Sequence, residues 1–149
     1  MKQTGLDVLD STIQRTNVWL SELALELNWL DRRKTFLALR CVLHALRDRL
    51  SVEDAAYVGE QLPILIRGVY YGRWEPRGKP IAWRSREDFV AVVHSSMEQD
   101  SGDINVTETM IRAVFRLLDR KATDGEIQDI RIVLPPGMQD LWPPALRAA

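Results

Sequence analysis

The sequence predicts an all-α protein, built from two tandem helical units of about three to four helices each and packed as one domain over residues 1–149. Three observations predict it. Apolar residues recur at intervals of three and four through most of the chain, which gathers them on one face of a helix. Leu62-Pro63 in "QLPILIRGVY" and Leu134-Pro135 in "VLPPGMQDLW" lie 72 residues apart, and the register before them holds without a gap. No segment shows the alternation of a half-buried strand; "RIVLP", ending at Pro135, is short and runs into prolines.

The first helix is read from Leu6, Leu9, Ile13, Leu20, Leu23, Leu27 and Leu30, a leucine face that only Thr16 interrupts. Asp31 is a good N-cap for a second helix with the stripe Phe36, Leu39, Leu43, Leu46 and Leu50. Arg33, Arg40, Arg47 and Asp48 are expected on its solvent side. Ser51 can accept from the N–H of Asp54 and so starts a third helix. Pro63 suits the first turn of a fourth, where a missing N–H costs nothing. In the second half Ser85 caps a helix bearing Phe89, Val92, Val93 and Met97, with Glu87 and Asp88 in its favourable first turn. "DSGDIN", from Asp100 to Asn105, is a turn. The next helix carries Ile111, Val114, Phe115 and Leu118. "TDGE", from Thr123 to Glu126, has capping-box spacing, with Ile127 and Ile130 facing inward. Pro135-Pro136 opens a last turn before Trp142.

At the offset of 72, Thr35 meets Thr107, Arg40 meets Arg112, Val42 meets Val114 and Leu46 meets Leu118. Conservative pairs fill the register: Leu39 with Ile111, Leu43 with Phe115, Ser51 with Thr123, Asp54 with Glu126, Val58 with Ile130, and Tyr70 with Trp142. The spacing therefore predicts units at approximately 6–71 and 85–142, joined by a basic, aromatic linker at 72–84.

The totals narrow the class. A chain of 149 residues is most simply one domain. Its apolar share of 46% and charged share of 28% are ordinary for a soluble globular protein. A formal charge of −1 supplies no global field calling for nucleic acid or membrane. The single cysteine, Cys41, fits a reducing cytoplasm. The opening "MKQTGLDVLDSTIQRT" has no apolar run of signal-peptide length, and no stretch approaches a membrane span.

The usual signs of catalysis are missing. Cys41 and His44 share a helix face, yet a structural zinc site wants four ligands, and Asp48 is the only further candidate on that helix. As a nucleophile and base the pair would form a small enzyme, but i, i+3 on one helix rarely brings an imidazole to a thiol, and no oxyanion site is marked. Nucleophile elbow, phosphate-cradling loop, zinc-protease pair and dinucleotide fingerprint are all absent. Glu53-Asp54 and Glu87-Asp88 are first-turn acids. No catalytic residue, metal or cofactor is expected.

What remains is charge and aromaticity. From Arg67 to Arg86 the chain holds Arg67, Arg73, Arg77, Lys79, Arg84 and Arg86 against Glu75 alone, interleaved with Tyr70, Tyr71, Trp74 and Trp83. Cations with flat rings suit a groove for single-stranded nucleic acid. They equally suit a linker whose rings dock on the helices while the cationic heads stay in water. The linker is the preferred reading. Arg40 and its counterpart Arg112 could hold an anion or pair with acids. Candidate anion- or partner-binding residues are thus Arg40, Arg67, Tyr71, Arg73, Trp74, Arg77, Lys79 and Arg112.

"LALRCVLHALRDRLSVEDAAYVGEQLPILIRGVYYGRWEP" together with "AVFRLLDRKATDGEIQDIRIVLPPGMQDLWP" resembles the bacterial family labelled domain of unknown function 2267. The carrying motifs are the Leu-Arg-rich helix, the two Leu-Pro steps, the exit at Tyr70, Tyr71, Trp74 and Pro76, and Gly125-Glu126. The resemblance covers nearly the whole chain. It implies a bacterial, cytosolic, helical protein and brings no site residues with it. The expected role is a non-enzymatic interaction or regulatory module with a protein partner or self-association; anion or nucleic-acid binding through the central segment is the alternative.

Overall fold

The computed structural model describes residues 4–121 and 131–143. Among these the protein is all-helical. The helices are α1 (Asp7–Leu27), α2 (Arg32–Arg49), α3 (Val52–Glu60), α4 (Ile64–Tyr71), α5 (Arg86–Ser96), α6 (Ile104–Lys121) and α7 (Pro136–Gln139), with a 3₁₀ turn at Glu98–Asp100. Residues 131–133 are also helical. The Thr123–Glu126 capping box, Ile127, Ile130 and the pairs made with Thr123, Glu126 and Ile130 lie outside the described residues.

Local chemistry sets most boundaries. The Asp31 carboxylate accepts from Lys34 N at 3.1 Å, the Ser51 hydroxyl from Asp54 N at 3.1 Å and the Ser85 hydroxyl from Asp88 N at 3.0 Å. Each satisfies a helix donor that has no partner within its own helix. Asn28 ends α1 in the left-handed conformation, at φ 58°. Pro63 and Pro135 precede α4 and α7 with nearly the same backbone, φ −56° in both and ψ 152° and 147°.

α2 and α6 form the centre. Each has 18 residues, and their limits differ by the same 72 positions as the Leu-Pro steps. Matched positions are buried alike: Thr35 and Thr107, Leu39 and Ile111, Val42 and Val114, Leu43 and Phe115, Leu46 and Leu118. Around them α1 packs on α2, α4 and α6, α5 packs on α2 and α6, and α3 and α4 close the α2 side. Phe115 lies within the hydrophobic core, with ring centroids 4.4 Å from Trp142 and 6.0 Å from Phe89. Glu22 and Glu26 of α1 pair with Arg116, Arg120 and Lys121 of α6. The Lys121 ammonium, 2.6 Å from Glu22, holds that carboxyl below its usual range.

Two expectations change. The leucine face of α1 does not continue to its ends: Leu6, Leu9 and Leu30 are exposed, and the buried positions are Thr12, Trp19, Leu20 and Leu23. Thr12 is buried because its hydroxyl accepts from Leu65 N at the start of α4. Arg47, expected in solvent, is only 5% exposed. Its Nη1 donates to the carbonyls of Tyr70 at 2.6 Å and Gly72 at 2.7 Å, and its Nε to Asp48 at 3.0 Å. A cation thus closes the carbonyl end of α4, where the helix dipole favours positive charge.

Leu43→Ala and Phe115→Ala are each expected to cost about 2–5 kcal/mol, because both side chains are fully enclosed. Urea unfolding checks this; unchanged midpoints would contradict it. Arg47→Leu removes the donor to the buried Tyr70 carbonyl and should cost at least about 1–3 kcal/mol. Arg47→Lys, which keeps the charge, should recover part of that loss in the same measurement.

Candidate functional site

The candidate residues do not converge on one centre. Arg67 is engaged at the C-terminal end of α3, donating to the carbonyls of Gly59 at 2.9 Å and Leu62 at 3.0 Å, with a longer bond to Glu60 at 3.4 Å. Tyr71 lies over Gly59, where any Cβ would collide with its hydroxyl. Its ring meets Tyr70 edge-on at 5.0 Å and Trp74 at 5.3 Å. Trp74 is half-buried against the core. Arg73 is exposed and has a positive φ of 61°. Arg77 is exposed and pairs with Glu75 at 3.2 Å. Arg40 is exposed on α2, whereas Arg112 donates to Glu108 at 3.0 Å and to the Asp140 carbonyl at 2.6 Å.

Lys79 departs from the expectation that its head stays in water. Its side chain is 9% exposed and its Nζ lies 3.8 Å from Asp48. The cause is the path of residues 72–85, which returns across the end of α2. Asp48 O accepts from Ile81 N at 2.8 Å, and Arg49 Nε donates to Trp83 O at 2.5 Å. Trp83 then packs edge-on against Phe89, 6.3 Å between centroids. Both tryptophan rings of this segment therefore rest on the core. Arg84 stays exposed, near enough to Arg49 to add to the burial that lowers the Arg49 guanidinium pKa.

The groups able to do acid–base or nucleophilic chemistry are held by the fold. Cys41 is buried, and that burial pushes its thiol pKa up. His44 Nε2 lies 2.7 Å from the Val69 carbonyl; a carbonyl only accepts, so Nε2 carries the proton. Burial lowers the pKa of His44, and the Val69 bond offsets only part of that. His94 Nδ1 lies 2.9 Å from the buried Thr107 hydroxyl. The Tyr70 hydroxyl donates to the Ala55 carbonyl at 2.7 Å, and burial raises its pKa strongly. Among the described residues no group of three or more His, Cys, Asp or Glu side chains could hold a metal ion. None of the described helices is long and apolar enough to cross a membrane.

Arg47 and Lys79 bind to backbone and carboxylate far away in sequence, so helical periodicity gave no sign of either. A second cationic feature also escaped it: Arg131 and Trp142 line a cleft with Arg112 and Arg116. Of these four, Arg112 and Trp142 stood out in the sequence, through their matches to Arg40 and Tyr70, but not as parts of one cleft.

No curated protein matches the chain. A family model, described as an uncharacterized conserved protein (DUF2267), matches residues 16–141. That span runs from the middle of α1 to the residue before Trp142 and takes in both central helices and the crossing between α4 and α5. The chain belongs to the DUF2267 family.

Proposed function

We propose that the chain works by binding and not by turnover, as a non-enzymatic protein-interaction or regulatory module of the cytoplasm. One observation carries this reading: His44, His94 and Tyr70 are each taken up in bonds between helices, and Cys41 is buried in the core. A thiol pushed up and an imidazole pushed down by burial both favour the neutral forms, the reverse of an activated thiolate–imidazolium pair. A protein partner is supported by the apolar side chains left in solvent. Val8 and Leu9 lie one turn before Thr12, and Ile64 and Leu65 begin α4 where it meets Thr12.

The matching lengths, boundaries and burial of α2 and α6 support descent from one duplicated helical unit, with residues 72–84 as the linker between copies. Nucleic-acid binding through that segment is the weaker reading, because Trp74 and Trp83 spend their rings on the core and cannot present both faces to bases.

The module reading expects no turnover of ester, amide or phosphate-ester substrates by the purified protein. Turnover that is lost in Cys41→Ser would overturn it. Leu65→Asp should leave the melting temperature unchanged and release a protein partner captured from the host. Capture unaffected by that change would remove this face from the reading.

For the crossing, Arg73→Gln and Arg77→Gln should leave the melt unchanged, since both heads are exposed. Lys79→Gln should lower it. Trp74→Ala should cost about 2 kcal/mol or more. A stable Trp74→Ala protein with weakened, salt-sensitive oligonucleotide binding would favour the nucleic-acid reading instead.

A further inference from the structure

A cleft of about 320 Å³ opens where the C-terminal turn meets α6. Its wall carries Arg112 and Arg116, one turn apart on α6, together with Arg131, Asp140 and Trp142. Two of the three arginines already have counter-ions. Arg112 is paired with Glu108, and Arg116 is paired with Glu26 of α1. Arg131 differs. Its Nε is buried and has no acceptor among the described residues. The same is true of the indole Nε1 of Trp142, a side chain only 2% exposed. Packing against the Phe115 ring, tilted at 35°, holds the indole in place.

A buried N–H without an acceptor is costly, and native structures leave few of them. Here two belong to side chains that line one cleft, and one of them is on a cation without a counter-ion among the described residues. An acceptor from outside the chain would answer both. It needs at least two oxygens, one for each N–H, and it needs negative charge. Asp140 in the same wall limits that charge, since a dianion beside a carboxylate is repelled more strongly than a monoanion. A carboxylate meets these conditions: it is planar, singly charged and matched to a guanidinium donor.

We infer that this cleft binds a carboxylate, with Arg131 Nε and Trp142 Nε1 donating to its oxygens and Arg112 and Arg116 raising the local positive potential. The carboxylate comes either from a free small acid or from an acidic side chain of a peptide. This assignment is independent of the apolar face on α1 and α4, and of whether the chain turns anything over.

The test is a titration of the full-length protein, at constant ionic strength in chloride, with sodium acetate and with a terminally blocked tripeptide containing one glutamate. The indole ¹H–¹⁵N resonance of Trp142 is followed, assigned by its loss in Trp142→Phe. Calorimetry on the unmodified protein and on Arg131→Gln supplies a readout that does not need that variant to fold. A saturable shift of the Trp142 resonance is expected. Arg131→Gln should raise the dissociation constant by about tenfold or more, the size expected for losing a charge-assisted bond. Arg84→Gln, on the exposed crossing, should leave it unchanged. Tighter binding of the blocked peptide than of acetate would identify a protein carboxylate as the source; equal or weaker binding would identify a free acid. No saturable binding of either, equal binding by Arg131→Gln, or tighter binding of inorganic phosphate than of carboxylate would overturn the proposal.

Discussion

The end of α2 holds α4 and the crossing that leads to α5. Three consecutive residues do it. Arg47 closes the carbonyl end of α4, Asp48 receives Ile81 N on its carbonyl and lies beside Lys79 with its carboxylate, and Arg49 holds the Trp83 carbonyl. A buried guanidinium must find acceptors or pay heavily in desolvation. Arg47 finds two carbonyls and a carboxylate. Satisfying that one cation positions the end of α4 and, through Asp48, the segment leaving it. Residues 72–85 can then cross to α5 along a fixed path without regular structure of their own.

The rest of the architecture follows from having two long helices in the middle. α2 is buried on most of its circumference, so its neighbours on several sides must supply apolar faces. α6 plays the matching part and adds a row of cations toward α1. These ion pairs are partly exposed and contribute little individually. Their use is in fixing the rotation of α1, whose apolar face is too short to do so alone. Thr12 adds a polar anchor to α4 at the point where that face ends.

What could be read from the sequence was local. Asp31, Ser51 and Ser85 cap the helices they precede because a cap and its donor are three residues apart. Phe89, Leu43 and Phe115 are buried because helical spacing already aligned them with other apolar residues. The misjudged residues depend on distant partners. Arg47 looks like any other arginine on a helix, and its acceptors are 23 and 25 positions away. Lys79 sits in a run of cations, yet only the chain path brings it to Asp48. Leu6 and Leu9 keep the right period, but periodicity says which residues share a face and not whether anything covers it. The cleft at Arg131 and Trp142 joins α6 to the last turn, and the repeat register that marked Arg112 and Trp142 does not say that they meet Arg131 there.

The bond between His44 and Val69 ties the fold to proton concentration. In the folded protein the imidazole is neutral, with its proton on Nε2 and burial opposing a second one. Once unfolded, the same ring takes up a proton at its ordinary pKa of about 6.5. Because the folded pKa is the lower of the two, the unfolded chain binds more protons as the medium acidifies. The stabilising effect is complete above the unfolded value and drains away as pH falls toward the folded one. Glu22, depressed by Lys121, acts in the same direction at lower pH. Acid therefore draws on the stability of the whole fold in two steps, first through His44 as pH falls below about 6.5 and then through Glu22 at lower pH.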